Sequence, residues 1–144
     1  MTAVQIRACG TVRPRELPSW MPFEFHPSDA TLRRCYSTAS ALLYPSRYEG
    51  FGLPPLEAMA CGCPSVTTAV GAVPEFATDH IDALIVPPND VDAMVARLEE
   101  LLANRALREE LSRAGLRTAQ KFSLSRVAPL FEHALQGAYT HAAA

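Results

Sequence analysis

Two glutamates, Glu49 and Glu57, flank a short stretch that reads Gly-Phe-Gly-Leu-Pro-Pro. A carboxylate accepts two hydrogen bonds side by side, which matches a pair of neighbouring hydroxyl groups on a sugar ring. Gly50 and Gly52 can take positive φ angles, so the backbone between the glutamates can approach a ligand closely. These residue types predict a loop that binds a ligand rich in hydroxyl groups.

The elements around this loop predict a second kind of contact. Residues 41–44 form an apolar run ended by a proline, which is typical of a buried central strand, and a helix is predicted to begin at Pro54 or Pro55. Ligands of open parallel sheets bind outside the carboxyl ends of the strands. A helix N-terminus and the amides of residues 50–53 suit an anion such as a diphosphate. A phosphate between two sets of hydroxyl groups indicates a nucleotide sugar.

Each motif residue also has a purely structural explanation. Glu57 in the first turn of a helix would interact favourably with the helix dipole without any ligand. Glu49 would pair with Arg47 or stay solvated, and Phe51 would plug the core beneath an ordinary tight loop. The residue pattern by itself leaves both interpretations open.

The rest of the chain predicts the layers that hold this loop. Short apolar runs alternate with helical patterns, which favours an α/β fold with a mainly parallel sheet. Strands are predicted at residues 4–9, 21–25, 41–44, 64–69 and 83–88. Ser28 or Asp29 is predicted to cap a helix after the second strand, and residues 70–79 are predicted to form a loop with one helical turn.

The C-terminal third of the sequence predicts three helices. Asn89 or Asp90 caps the first, whose apolar face is predicted to contain Val91, Met94, Val95, Leu98, Leu101 and Leu102. The second presents Leu107, Leu111, Ala114 and Ala119. The third, capped by Ser123 or Ser125, presents Val127, Leu130, Phe131 and Leu135. Pro129 predicts a kink or a late start in this third helix, and residues 140–144 are expected to fray.

Composition excludes several classes of partner and site. The net charge of −2 gives no electrostatic basis for binding nucleic acid. No run of eighteen apolar residues could span a bilayer, and the N-terminus lacks the apolar region of a secretory signal, so we expect a cytoplasmic protein. The four cysteines, Cys9, Cys35, Cys61 and Cys63, lack the paired spacing of a zinc site, so no metal is expected.

Residues 45–66, which read PSRYEGFGLPPLEAMACGCPSV, resemble the signature of glycosyltransferase family 4, the group 1 retaining enzymes of the GT-B fold, with its Glu-x7-Glu motif. The similarity extends from about Thr31 to Phe122. It implies a single partial domain over residues 1–144, namely the C-terminal, donor-binding half of the fold. Residues 1–30 form a divergent start, 31–122 the family-like core, and 123–144 a terminal helix and tail. The expected fold is a Rossmann-like parallel sheet with flanking helices, truncated at its start and helical at its C-terminal end.

The resemblance also implies a role for each motif residue. Glu57 would bind the ribose hydroxyls of the nucleotide, and Glu49 would contact the transferred sugar near the reaction centre as the catalytic residue. The loop from Gly50 would bind the donor, with the amides of Phe51, Gly52 and Leu53 meeting its sugar and phosphates. The implied reaction is retaining transfer of a hexose from a nucleotide-diphosphate sugar to a glycan, lipid or other acceptor, without a metal or other cofactor.

The sequence departs from the family pattern at its start, because no acceptor-binding N-terminal domain precedes residue 31. We therefore expect the isolated chain to lack transferase activity and to need a separate GT-B N-terminal domain, through which it could lie at a membrane surface. The alternatives are a non-catalytic module that binds a nucleotide or sugar phosphate, and a structural remnant that self-associates through its terminal helix.

Overall fold

The computed structural model describes residues 4–12 and 14–142, with side chains up to residue 136. This part of the chain forms five strands and six helices. In chain order they are β1 (Ala8–Gly10), β2 (Phe23–Phe25), α1 (Asp29–Thr38), β3 (Leu42–Tyr44), α2 (Leu53–Ala60), β4 (Ser65–Thr68), α3 (Val73–Phe76), β5 (Leu84–Val86), α4 (Val91–Ala103), α5 (Arg105–Lys121) and α6 (Leu124–Ala142). The chain divides into two compact units, one ending at Cys35 and the other beginning at Tyr36.

The first unit contains a two-stranded parallel sheet. Strands β1 and β2 pair with Ala8 opposite Phe23, and the Ala8 amide donates to the Pro22 carbonyl at 2.9 Å. Both predicted strands are present, but each covers only three residues, because residues 4–7 and 21–22 lie outside the ladder. The Ser28 hydroxyl accepts from the Thr31 amide at 3.3 Å, which confirms Ser28 as the cap of α1.

The second unit contains a parallel sheet in the order β3-β4-β5. Every residue of the central strand β4 is buried. The prediction of a buried central strand at residues 41–44 is wrong, because β3 lies at the edge of this sheet and Leu43 is 39% exposed. An apolar run indicates a strand but does not encode how many neighbours that strand has.

Helices cover both faces of this sheet, as the α/β prediction requires. Alternate residues of a strand point to opposite faces, so Val66, Leu84 and Val86 share one face. They pack there with Met94 of α4 and with Leu101 and Leu111. A second cluster joins α2, α3 and the end of α5, and its buried members include Met59, Val73, Phe76 and Ala119.

Helix α2, which carries Glu57, is fixed by close packing against α5. A Cβ atom at Gly115 would lie 3.0 Å from Cγ of Met59, so a side chain at this position of α5 would push the two helices apart. The Ser112 hydroxyl also donates to the carbonyl of Gly62 at 2.7 Å, just after α2 ends. The absence of a side chain at Gly115 therefore helps to set the position of the helix that carries the second motif glutamate.

Polar side chains cap the two helices that follow β5. Asp90 Oδ1 accepts from the Ala93 amide at 2.9 Å at the start of α4, which agrees with the predicted cap, and Asn104 Oδ1 accepts from Leu107 at 3.0 Å at the start of α5. The predicted apolar face of α4 is wrong at Val91 and Val95, which are 70% and 49% exposed. The sheet covers only the narrower stripe around Met94 and Leu101.

Helix α6 begins at Leu124 and continues through Pro129. The predicted late start is therefore wrong, and residues 140–142, which were expected to fray, are helical, while residues 143–144 lie outside the described residues. The large apolar side chains of α6 are exposed: Leu124, Val127, Leu130, Phe131 and Leu135. Over the part of the chain that the structure describes, no helix combines the length and apolarity needed to cross a membrane.

Candidate functional site

The loop of residues 45–52 joins the carboxyl end of β3 to α2. Helix α2 begins at Leu53, with Gly52 as its N-cap and Pro54 and Pro55 in its first turn. Because the helix begins before the prolines, Glu57 lies in its second turn, and its predicted place in the first turn is wrong. The helix dipole acts mainly within the first turn, so it accounts poorly for a glutamate at this position.

The glycines of the loop have different roles. Gly52 adopts φ 94°, as predicted, and a Cβ atom there would lie 3.1 Å from Val73 Cγ2. The prediction for Gly50 is wrong, because its φ is not positive and a Cβ atom would meet nothing within 4 Å. Gly52 is therefore required by the backbone, whereas Gly50 is not.

The sequence interpretation missed a third glycine. Gly71, in the loop after β4, adopts φ 57°, and a Cβ atom there would lie 3.0 Å from both Cβ and the carbonyl oxygen of Glu49. Its position just beyond a strand was the available signal, because loops at the carboxyl ends of neighbouring parallel strands lie side by side. Gly71 allows the two loops to approach closely at Glu49.

Phe51 anchors the loop through both its ring and its backbone. The ring stacks on Phe76 with centroids 5.6 Å apart and meets Phe122 edge-on at 6.1 Å. The Phe51 carbonyl accepts from the Ala72 amide at 3.0 Å. The Phe51 ring packs against two other rings but is 39% exposed, so the suggested role of Phe51 as a plug of the core is wrong. The Phe51 amide has no protein acceptor among the described residues.

The start of α2 offers amide donors. Among the described residues, the amides of Phe51, Gly52 and Leu53 have no acceptor, and no side chain caps the helix. Pro54 and Pro55 carry no N–H, so they remove two of the four amides that usually lack a partner at a helix start. An anion at this end would be held by the remaining amides.

Hydroxyl groups from neighbouring residues hold Glu49. Its Oε1 accepts from the Tyr44 hydroxyl at 2.5 Å and from the Ser46 hydroxyl at 2.7 Å. Within the described residues no ion pair joins it to Arg47, so the pairing considered from the sequence is not formed. Glu49 Oε2 has no protein donor there.

The Tyr44 hydroxyl is affected by the charges of both motif glutamates. Burial raises the pKa of Tyr44 well above its ordinary value, and the hydrogen bond to Glu49 and the charges of Glu49 and Glu57 act in the same direction. The charge of Glu57 therefore reaches the same tyrosine as that of Glu49. Tyr44 stays protonated and remains a hydrogen-bond donor.

Glu57 is exposed, and its Oε2 accepts from the Tyr36 hydroxyl of α1 at 3.2 Å. Each motif glutamate thus receives a tyrosine hydroxyl on one carboxylate oxygen. The sequence interpretation missed Tyr36, Tyr44 and Ser46 as site residues. Tyr44 and Ser46 could have been suspected because they directly precede the motif, whereas the 21-residue separation of Tyr36 from Glu57 carries no local signal.

Metal ligands are not grouped in the described part of the chain, where no three His, Cys, Asp or Glu side chains could hold a metal ion together. All four cysteines lie in that part, and none forms a disulfide. The chemistry visible at the site is therefore that of two carboxylates, three hydroxyl groups and a row of amides.

A parallel sheet with a glycine-containing loop between a strand and a helix is the ligand-binding architecture of Rossmann-like α/β domains. The sequence model of the family "Glycosyl transferases group 1" matches residues 21–118. The chain belongs to this glycosyltransferase family.

Known proteins extend this assignment. The chain is 41% identical over 104 residues to O-antigen chain mannosyltransferase B of Escherichia coli, and the match covers 72% of this chain but only 27% of that protein. The structure of sucrose-phosphate synthase from Thermosynechococcus elongatus superposes with a TM-score of 0.85 and 25% identity, covering 95% of this chain and 39% of the synthase. This similarity confirms the Rossmann-like fold.

A second solved structure is the C-terminal domain of a glycosyl transferase group 1 family protein from Francisella tularensis. It matches with a TM-score of 0.64 and 28% identity, covering 71% of this chain and 53% of that domain. The chain is thus similar to part of each of these longer proteins.

Proposed function

We propose that this chain is the C-terminal, donor-binding domain of a retaining family 4 glycosyltransferase. The enzyme transfers a hexose from a nucleotide-diphosphate sugar to a glycan, lipid or other acceptor. A separate N-terminal domain binds the acceptor, so the isolated chain binds the donor without transferring its sugar. The match to a mannosyltransferase over 27% of its length and the similarity to a C-terminal domain support this assignment.

One observation carries the proposal. Each motif glutamate has one carboxylate oxygen engaged by a tyrosine hydroxyl, and the other oxygen has no protein donor among the described residues. A carboxylate oriented in this way presents an acceptor to hydroxyl groups of a ligand. A glutamate that served only the helix dipole or the solvent would need no such orientation.

The proposed roles follow the order of groups along the donor. The amides of Phe51, Gly52 and Leu53, together with the positive end of the α2 dipole, bind the diphosphate. Glu57 accepts hydrogen bonds from the ribose hydroxyls. Glu49 accepts hydrogen bonds from the hydroxyls of the transferred sugar, so it lies beside the bond that breaks.

The chemistry needs charge stabilisation more than a nucleophile. A glycosyl transfer develops negative charge on the departing nucleoside diphosphate and positive charge on the sugar ring. Fixed amide donors at the diphosphate and the carboxylate of Glu49 at the sugar oppose these two charges, and both groups are positioned before the reaction begins. Retention requires the acceptor to approach on the face from which the diphosphate leaves.

Calorimetric titration of the chain with UDP, GDP, ADP and their hexose conjugates tests the proposal. We expect saturable binding of one base. Glu57→Ala should weaken binding of that diphosphate by roughly 1.5–3 kcal/mol, the range for a hydrogen bond to a charged group. Glu49→Ala should weaken binding of the hexose conjugate and leave binding of the bare diphosphate unchanged, because in the proposed complex Glu49 contacts the sugar.

Glu99→Ala provides the matched control, since Glu99 is an exposed glutamate on α4. It should leave every affinity unchanged. A folded wild-type chain that binds none of these ligands would refute donor binding. An unchanged affinity in folded Glu57→Ala would refute the ribose contact alone.

A further inference from the structure

We propose that Tyr44 and Ser46 are positioning residues that hold Glu49 Oε1, so that Glu49 Oε2 is the atom that meets the donor sugar. This inference rests on the proposed function and concerns the sugar side of the same site. Neither residue is expected to touch the donor, because each acts through Glu49.

The hydrogen bonds to Glu49 are one-sided. Tyr44 and Ser46 both donate to Oε1, at 2.5 Å and 2.7 Å. A carboxylate oxygen has two lone pairs, so two donors fill its capacity. Oε2 is therefore the oxygen of Glu49 that can accept hydrogen bonds from a ligand. Rotation of the carboxylate would break both hydrogen bonds to Oε1 at once.

The donors themselves are held by the sheet. Tyr44 ends β3 and pairs with Thr67 of β4, which fixes its backbone in the ladder. The Ser46 carbonyl accepts from the Thr68 hydroxyl at 2.6 Å, which ties the loop to the end of β4. The hydroxyl groups that orient Glu49 therefore come from a strand residue and from a loop residue whose backbone is tied to the end of β4.

The backbone of Glu49 is restrained as well. Gly71 approaches it so closely that a Cβ atom would lie 3.0 Å from its carbonyl oxygen. The side chain of Glu49 is thus fixed at its base by a neighbouring loop and at its tip by two hydroxyls. Such restraint lowers the conformational entropy that a side chain loses when it binds a ligand.

The competing explanation is that these hydrogen bonds only stabilise the loop. A stabilising role predicts that removing a hydroxyl lowers the affinity for the nucleoside diphosphate and for its hexose conjugate equally, because the loop amides bind both ligands. A positioning role predicts a selective loss for the hexose conjugate. Comparing the loss of affinity for the two ligands therefore distinguishes the two explanations.

The test is Tyr44→Phe, which removes one hydroxyl and keeps the ring. With UDP, GDP and ADP and their hexose conjugates as probes, we expect a roughly five- to tenfold loss of affinity for the bound conjugate, as for one hydrogen bond. The affinity for the bare diphosphate should change less than about twofold. Tyr48→Phe is the matched control, because Tyr48 lies in the same loop and is 88% exposed.

A double-mutant cycle shows whether Tyr44 acts through Glu49. In a Glu49→Ala background, Tyr44→Phe should produce no further loss of conjugate affinity. An additive loss there would overturn the inference. Ser46→Ala provides a second variant with the same expected selectivity, in case Tyr44→Phe unfolds the chain.

Failure of the inference and failure of the proposed function give different results. If the wild-type chain binds the conjugate and folded Tyr44→Phe keeps full discrimination over the diphosphate, only the positioning role is overturned. If the folded wild-type chain binds no probe, donor binding is overturned and the positioning role with it.

Discussion

The thiol of Cys63 is a titratable group enclosed by the core. It lies between α2 and β4, is 2% exposed, and approaches the carbonyl of Pro64 at 3.6 Å. Burial, with a smaller contribution from Cys61, raises the pKa of Cys63 from 9.0 to about 11. The folded state therefore favours the protonated thiol.

This burial predicts how stability depends on pH. Between pH 9 and 11 the unfolded chain releases the thiol proton while the folded chain keeps it, so the free energy of unfolding falls as pH rises. We expect a fall of up to about 2 kcal/mol over this range, and at lower pH the titration of Cys63 should make stability no more pH-dependent. Urea unfolding at pH 8 and at pH 10.5 measures the difference.

Cys63→Ala serves as the reference for this measurement, because other groups also titrate at high pH. The variant is expected to be less stable at pH 8 and to lose less stability between the two pH values than the wild type. Equal losses in the two proteins would show that the thiol does not titrate in the way its burial implies.

At the scale of elements, the site depends on the contact between two loops. The loop after β3 carries Glu49, and the loop after β4 supplies Gly71 and the Ala72 amide that binds the Phe51 carbonyl. Neither loop is held in this geometry by its own sequence alone. The position of Glu49 therefore depends on the contact between the loop after β3 and the loop after β4.

Gly71→Ala should disturb this pair. Alanine at φ 57° is strained, and its Cβ would lie 3.0 Å from the Glu49 carbonyl oxygen, so we expect a loss of about 1–3 kcal/mol in the free energy of unfolding. Gly50→Ala is the matched control, since its added Cβ meets nothing within 4 Å, and should change stability by less than about 0.5 kcal/mol. Urea unfolding of both variants measures the effect, and similar losses would contradict the loop contact.

Local signals predicted much of this architecture from the sequence. The caps of α1 and α4 are each predicted to within two neighbouring residues, because short polar side chains accept from amides two or three residues ahead, and the structure shows that Ser28 and Asp90 are the ones that do so. The positive φ angle of Gly52 is predicted correctly because a glycine before a helix start is a local signal. The order of strands and helices followed from alternating patterns.

Features that depend on distant neighbours were not predicted. The edge position of β3, the exposure of Val91 and the bond from Tyr36 to Glu57 each depend on which element packs alongside. The requirement for glycine also depends on distant neighbours. No other segment approaches Gly50, so a side chain would fit there, whereas Glu49 approaches Gly71 too closely for one. Sequence spacing does not reveal either situation.

At the scale of the whole molecule, α6 presents an apolar surface. Leu130 and Phe131 are 71% and 66% exposed, and three further large apolar side chains of this helix are also exposed. Contiguous apolar surface of this kind favours association. We expect the isolated chain to self-associate as its concentration rises, which sedimentation velocity would detect.

Replacing Leu130 and Phe131 by serine should shift the chain towards the monomer without a large loss of stability, since both side chains are exposed. Val91→Ser is the matched control, because Val91 is 70% exposed on a different helix. A sedimentation profile that does not change with concentration in the wild type would contradict the prediction, as would an equal effect of the control.

Helices α4 and α5 begin with side chains that bind their own amides, whereas α2 begins with a glycine that cannot. A serine or aspartate at Gly52 would act as an intramolecular competitor for any anion arriving there. Without one, the anion displaces only solvent, and no internal cap must dissociate before it can bind. If the donor diphosphate binds at this end of α2 as proposed, we expect its association to need no prior rearrangement of a cap, so that its rate is set by encounter with the ligand.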